Sequence, residues 1–511
     1  MTNLRLTYDQ ATAQGHTLLT KDLARALLAR SGRRLERAEV EEAYRLGELT
    51  KFQDGVAAPD TLAKEARVAA WFANRGTASA TLTWLPAVAP SGCNSAQGGA
   101  WGQIRGANTA LVTGLPGAGK TWLVARVVEV AVQAGKQVLC ATPTGKAASV
   151  LSLKLDRFPV STLHKLLGVV PGQLVNPNPV HADLLVIDEF SMVDVALLDC
   201  LLQAVGPRTA VLFSGDPNQL PPVGLGYPAK DLVDWYSEHE QPGVILVHLD
   251  RVERQAAGSD ILELATALHR SQLLPLGTRN ITVRRVPTEE IEPTAVGYCL
   301  GSELAELHQL TDPYRQVLVL TPVKAAKFEA STSRINQAVS HARFPERDLA
   351  RSKFARGDRL IFTVNNYTHG FVNGEMGTLV DYQSAARHAR IDNDGGYRYE
   401  LDSYSLGQYA EWGYALTVHK AQGSEAEVVV LLLHPEAGFM YSLNLLYTAV
   451  TRAKRHLLLV GDLSVLKKAL FRREVRSTAL PTFLSDAELR TRWAKWSLYV
   501  DLSHYAEGYA P

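Results

Sequence analysis

The stretch Thr113-Gly114-Leu115-Pro116-Gly117-Ala118-Gly119-Lys120-Thr121 satisfies the pattern G-x-x-x-x-G-K-[ST] at every fixed position, and it constrains the fold more than any other feature of the chain. Ala110-Leu111-Val112 before it reads as the end of a buried strand, and Trp122 to Ala134 after it as a helix. A strand, a glycine-rich loop and a helix in that order form a cradle for polyphosphate. The glycines let backbone N–H groups turn inward, and the helix presents its positive end to the same charge. Lys120 is placed to reach the β/γ-phosphates and the Thr121 hydroxyl to hold Mg²⁺. A nucleotide and Mg²⁺ are therefore expected, with Gly114, Pro116, Gly117, Ala118, Gly119, Lys120, Thr121 and the adjoining Trp122 the expected nucleotide-binding residues.

Beyond this loop, apolar strands alternate with helical stretches, the pattern of a parallel sheet covered on both faces. Val138-Leu139-Cys140-Ala141, Leu184-Leu185-Val186-Ile187 and Ala210-Val211-Leu212-Phe213 each run directly into a polar cluster. Ligands in such sheets sit at the carboxyl ends of the strands, so these clusters should share a crevice with Lys120. Asp188-Glu189 supplies two carboxylates: Asp188 for the Mg²⁺ shell and Glu189 to orient and deprotonate an attacking water. In Ser214-Gly215-Asp216-Pro217-Asn218-Gln219-Leu220-Pro221-Pro222, the amide of Gln219 has the reach to sense a γ-phosphate, and the paired prolines stiffen the loop.

At 511 residues the chain is too long for one core, and about three or four domains are expected. The net charge of +1 requires any nucleic-acid site to be a local groove, not a basic surface. Cys93, Cys140, Cys200 and Cys299 contain no CxxC pair, which argues against a zinc site or disulfide framework and for a reducing compartment. The longest apolar run, Val428 to Leu433, has the length of a strand and cannot span a bilayer, so a cytoplasmic protein is expected. Residues 17 to 50 read as a small helical module, with Leu35 to Leu46 as one helix and Lys51 to Gly55 as a closing turn; it suits DNA binding, packing or partner docking. A helix over Asp60 to Ala73 follows. Gly76 to Asn108 reads as a connecting stretch in which Gly98-Gly99 disfavours a helix start.

Several stretches together resemble the superfamily 1B DNA helicases, in particular the RecD-like and Dda-like family. They are Leu115 to Thr121, Ala141-Thr142-Pro143-Thr144-Gly145-Lys146-Ala147-Ala148, Ser161-Thr162-Leu163-His164-Lys165-Leu166-Leu167-Gly168, Ile187 to Asp194, Gly215 to Pro222, Arg254-Gln255, Thr417-Val418-His419-Lys420-Ala421-Gln422-Gly423-Ser424-Glu425 and Tyr447-Thr448-Ala449-Val450-Thr451-Arg452-Ala453. Their order and spacing match the family from about residue 95 to 465.

The resemblance implies an α/β architecture of two RecA-like parallel-sheet motor domains, with ATP between them and single-stranded DNA across their tops. The implied divisions are an N-terminal helical module over 1–80, a first motor domain over 81–250 with a β-hairpin pin at 167–182, and a second over 251–350 and 411–485. An Src-homology-3-like barrel is implied at 351–410, and 486–511 forms a tail. By the same resemblance Gln97 contacts adenine, Glu425 faces the ribose, and Arg254 and Arg452 act as arginine fingers beside the catalytic Lys120, Asp188, Glu189 and Gln219. Pro143, Thr144, Thr162, His164, Thr417 and His419 line the DNA track; short hydroxyl and imidazole groups suit sequence-independent contacts. The pin is short and proline-rich. For the tail, with Arg492-Trp493 and Lys495-Trp496, base stacking or helix packing is open.

The expected activity is 5′-to-3′ unwinding on single-stranded and tailed duplex DNA by a monomer, a direction taken from the family. A protein partner would dock through the N-terminal module. A single-strand translocase and a regulatory nucleic-acid-binding subunit are the rivals; retention of both carboxylates and Arg452 argues against the last.

Overall fold

The computed structural model describes residues 3–32, 37–78, 81–169, 176–249, 259–272, 276–346, 353–366, 368–383 and 386–495. Two parallel sheets form its centre. The first has six strands in the order Val160–Thr162, Val138–Thr142, Leu184–Ile187, Ala210–Ser214, Thr109–Gly114 and Val244–Leu249, all parallel. Its inner strands are unbroken apolar runs because both faces are covered, which is why they show no alternation in the sequence. One face packs against the Val195–Ala204 helix and the other against the Lys120–Gln133 helix. The second sheet, also parallel, runs Ile281–Arg284, Ala453–Gly461, Ala426–Leu433, Val317–Thr321, Ala415–Thr417. Both have the α/β layering expected of RecA-like domains.

Inserted between Val317–Thr321 and Ala415–Thr417 of the second sheet is an antiparallel sheet of five strands, Arg398–Leu401, His388–Asn393, Met376–Gln383, Arg359–Phe362 and Ala410–Trp412, around a core of Phe354, Phe362, Phe371, Leu379 and Ile391. Its two edge strands do not pair among the described residues, so the ladder is open where a barrel was expected. Asn373-Gly374 forms a turn before the Met376–Gln383 strand, with Gly374 at φ +89, in the left-handed region.

Two regions depart from the sequence reading. The N-terminal module is not purely helical, because Leu19–Thr20, Gly55–Ala57 and Thr50–Phe52 form a small antiparallel sheet. The expected turn is therefore narrower, with Gln53 in the left-handed region between two short strands. The stretch from Gly76 to Asn108 holds a helix, Ser95–Arg105, started by a capping box in which Asn94 and Gln97 each bond the other's backbone N–H. That reciprocal pair offsets the cost of Gly98 and Gly99. The tail follows the helix-packing alternative: Leu480–Ser485 and Ala487–Ala494 pack on the Pro59–Ala73 helix, with Trp493 buried and Phe483 5.0 Å from Phe52.

The pin lies partly outside the described residues, which omit 170–175. Of its remainder, Asn178 donates its N–H to Leu167 O and Val180 bridges Val205 in parallel, and no hairpin ladder forms among the described residues.

Candidate nucleotide cleft and nucleic-acid track

The carboxyl ends of the first sheet's strands face a cleft of about 820 Å³ whose opposite wall belongs to the second sheet and its helices. Pro116, Gly117, Gly119, Lys120, Thr121, Trp122, Asp188, Glu189, Gln219 and Gln97 line the first wall, and Gly423, Glu425 and Arg452 the second. Ten residues scattered over the first domain thus converge with three from the far side. Ala118 is turned into the core, and Gly114 lies under the loop, where its carbonyl accepts from Lys120 Nζ at 2.6 Å. Leu115 O accepts from the same ammonium at 3.1 Å. The lysine therefore rests on the loop that it would leave for a phosphate.

Glycine is required where the loop meets its neighbours. Gly119 has φ +84, and a Cβ there would lie 2.3 Å from Gln97 Nε2. Gln97 itself is nearly buried, with Oε1 accepting from Asn94 N–H at 3.1 Å. Its amide nitrogen is the group left at the cleft. Trp122 lines the same end, with the Arg126 guanidinium 5.6 Å from its ring centre.

Glu189 has φ +55 and ψ 39, a left-handed conformation for a non-glycine residue that costs roughly 1–2 kcal/mol. Burial, reinforced by the adjacent Asp188 charge, raises its carboxyl above the usual range; Arg452, Lys120 and Lys154 pull in the opposite direction. A buried carboxyl pushed up beside cations is the environment of a general base. Thr121 and Asp188 offer a hydroxyl and a carboxylate on one wall, the oxygen donors that Mg²⁺ takes alongside phosphate and water, so this donor set fits that ion. Gln219 lines the cleft, and among the described residues its buried Oε1 has no hydrogen-bond partner.

Arg452 is 5% exposed and held by Thr448 O at 3.0 Å, Ser424 O at 3.3 Å and Thr451 Oγ1 at 3.1 Å. Its helix, Leu443–Val450, is bonded directly to the Gln219 loop: Leu220 N–H donates to Thr448 Oγ1, Asn444 Nδ2 to the carbonyls of Asn218 and Gln219, and Tyr447 O–H to Asp216 at 2.7 Å. Gln422 Nε2 adds a bond to Leu220 O. Glu425 lies 3.7 Å from Lys454. Arg254 lies outside the described residues.

The expected DNA residues occur as two groups, one after each sheet. Thr144, Thr162 and Thr417 cap their own helices or turns, accepting from Ala147 N, Lys165 N and Lys420 N. These caps fix the position of each hydroxyl, with Thr162 buried and Thr144 and Thr417 half-buried. Pro143 and His164 are half-buried and His419 is exposed.

Sequence reasoning missed Arg126, Lys154, Thr451, Lys454 and Arg455, all lining the cleft. Lys454 and Arg455 lie just past Arg452, after Ala453, and were legible as a basic run; Lys154 ends the Gly145–Lys154 helix and reaches the cleft only through the fold.

An AAA domain family matches residues 97–225, and a UvrD-like helicase C-terminal domain family matches residues 413–460. The ATP-dependent RecD2 DNA helicase of Deinococcus radiodurans is 34% identical over 404 residues, covering 78% of this chain and 53% of that protein, so the chain spans about half of that relative's length. The RecBCD enzyme subunit RecD of Mycobacterium tuberculosis is 30% identical over 406 residues, covering 72% of this chain and 69% of the subunit. Among solved structures, a Pif1 helicase from Bacteroides in complex with ADP-AlF3 and ssDNA aligns with a TM-score of 0.44 at 18% identity, over 72% of this chain and 91% of that one. With the motifs in register along both sheets and more than two thirds of a RecD subunit matched, the chain belongs to the RecD-like family of superfamily 1B DNA helicases.

Proposed function

We propose that the chain is an ATP-driven motor that moves 5′ to 3′ on single-stranded DNA and opens duplex ahead of it. The observation that carries this reading is the two-walled cleft, with Lys120, Asp188, Glu189 and Gln219 on one side and Arg452 on the other. A nucleotide held by the first wall is completed by the second, so binding favours closure and loss of the γ-phosphate releases it. Thr121 and Asp188 would hold Mg²⁺, which when bound neutralises phosphate charge. Lys120 moves from its loop carbonyls to the phosphates, Glu189 takes the proton of the attacking water, and Arg452 meets the charge developing on the γ-phosphate. Gln97 and Trp122 receive the base, and Glu425 faces the ribose once Lys454 yields. Arg254 is assigned the second finger.

Because Asp216, Gln219 and Leu220 bond the Leu443–Val450 helix, a change at the phosphate shifts the second domain against the first. That alternates the grip of Pro143, Thr144, Thr162 and His164 with that of Thr417 and His419. In this reading the two motor domains divide as 81–250 and 251–350 with 411–485, the 351–410 insertion steadies the strand, and the N-terminal module is free to dock a partner. The protein acts as a cytoplasmic monomer.

The test is strand displacement with Mg²⁺ and ATP on matched duplexes carrying a 5′ or a 3′ single-stranded tail. Opening of only the 5′-tailed duplex is expected, and opening of only the 3′-tailed one overturns the direction. A second reading, translocation without unwinding, is favoured by the parallel Val180–Val205 bridge where a hairpin was expected. It prevails if neither duplex opens while single-stranded DNA still stimulates ATP hydrolysis.

A further inference from the structure

Gln219 faces the large cleft, but its neighbours Pro217 and Asn218 face a second cavity of about 210 Å³ behind it, lined also by Tyr227, Tyr447, Arg473 and Arg476. The chain segment that closes this cavity, residues 471–479, leaves the second sheet's domain and crosses to the first.

At its near end the segment holds the second domain. Arg473 donates to His269 O at 2.9 Å and to Ser271 Oγ, Ser442 donates to the Glu474 carboxylate, and Glu474 N–H donates to Asn444 Oδ1 at 3.1 Å. Ser442 and Asn444 start the helix that leads to Arg452. At its far end the segment holds the first domain and the N-terminal module. The Arg476 guanidinium donates to the carbonyls of Pro222, Gly224 and Gly226, in the turn that follows Gln219. Ser477 N–H donates to His16 Nδ1 at 2.8 Å, Ser477 O accepts from Thr17 N, and Ala479 N–H reaches Glu65.

A planar fork with five donors can serve three carbonyls at once, which an ammonium cannot do with the same fixed geometry. The bed for that fork is equally specific. Gly15 has φ +83, and a Cβ there would lie 2.2 Å from Arg476 Cζ, while Gly15 O accepts from Gly226 N at 2.8 Å.

Building on the motor reading, we propose that residues 471–479 are a tether between the two motor domains, and that Arg476 is a positioning residue that keeps the Gln219 turn facing the Arg452 helix. Among the described residues the tether does not line the nucleotide cleft, and its one link to an expected DNA residue is the Glu474 charge acting on His419, so it acts on the population of closed cleft. If its release lowers the fraction of chains with both walls apposed, apparent nucleotide affinity falls by that fraction, while the chemistry of a closed complex is unchanged. A tether slackened at one end gains nothing from being cut at the other. The two grips are therefore non-additive, unlike two independent structural contacts.

The experiment compares wild type with Arg473→Ala, Arg476→Ala, the double variant and Arg476→Lys. ATP turnover is measured with single-stranded DNA, together with interdomain distance by energy transfer between dyes on non-natural amino acids at exposed Val132 (48%) and Leu307 (68%). Each single variant is expected to raise KM for ATP by roughly five- to tenfold with kcat within about twofold, and to broaden the distance distribution of the nucleotide-free protein. The double variant should match the worse single one, and Arg476→Lys should recover part of the KM. Unchanged KM and distances in Arg476→Ala, or additive losses in the double variant, overturn the proposal. If wild type hydrolyses no ATP, the motor reading fails, and the distance distributions alone decide whether the tether exists. Gly15→Ala, which displaces the guanidinium without altering it, should reproduce the broadened distances; if they stay narrow, Arg476 is not the grip.

Discussion

Replacing Glu189 by Gln isolates the step on which the catalytic reading depends. Glutamine keeps the size of the side chain and its capacity to accept a hydrogen bond, but it cannot take a proton. The backbone at φ +55 tolerates it as it does glutamate, so the local turn should stand. Loss of a positioned general base costs about 10² to 10⁴ in rate, or about 3 to 5 kcal/mol of transition-state stabilisation. Lys120, Thr121 and Arg452 remain in the cleft, so KM for ATP should change little. Glu189 is also disfavoured as an anion where it stands, by burial and by Asp188. Removing that charge should therefore stabilise the fold and raise Tm. The opposed signs are the diagnostic. A steady-state assay of phosphate release with saturating single-stranded DNA, together with calorimetry, measures both. The wild-type rate should rise with pH through a value above the ordinary carboxylate range, because the base works deprotonated and its pKa is raised; the variant should lose that limb. Retention of more than about a tenth of wild-type kcat, or a rate limb at the usual carboxylate pKa, would refute Glu189 as the base.

Two further outcomes follow from buried charges. Arg452→Lys cannot reproduce the bonds to Thr448 O, Ser424 O and Thr451 Oγ1, and as an arginine finger it should lose on the order of 10³ in kcat with an unchanged circular dichroism spectrum; a loss under tenfold removes Arg452 from the catalytic set. Glu65, 1% exposed, is pushed from 4.5 to about 8, by burial first and then by the charge of Asp231. The native state therefore holds a proton that the unfolded chain has released, so stability is highest below the unfolded value and is lost as pH rises toward the folded one. Urea midpoints should fall between about pH 5 and about pH 9, and Glu65→Gln should flatten that slope; an unchanged slope would show that Glu65 is not its source.

The motor motifs were legible because each is a local device. A strand, a tight loop and a helix around phosphate occupy consecutive residues, and Asp188-Glu189 follows its strand without a break. The helix at Ser95–Arg105 was missed because two glycines outweighed a cap whose two bonds are visible only as a pair, Asn94 with Gln97. The N-terminal sheet was missed because Leu19–Thr20 pairs with Gly55–Ala57 far along the chain, and two residues carry no alternation to read. The insertion was placed by the resemblance as an antiparallel module, and its five strands pair in an open order among the described residues because closure depends on edge strands meeting, which no local pattern reports.

By itself the sequence determined which residues can do phosphate chemistry, since turn geometry, charge and donor type are properties of short segments. It also determined that parallel sheets carry them, through apolar strands buried on both faces. Only the tertiary structure decided that Arg452 stands across the cleft from Lys120, that Gln219 lines the same cleft, and that Arg476 returns from beyond the second sheet to grip the turn behind Gln219. Those relations join residues more than 200 positions apart. No local pattern encodes them, because the loop-closure entropy of such contacts is offset only by the cores that form around them.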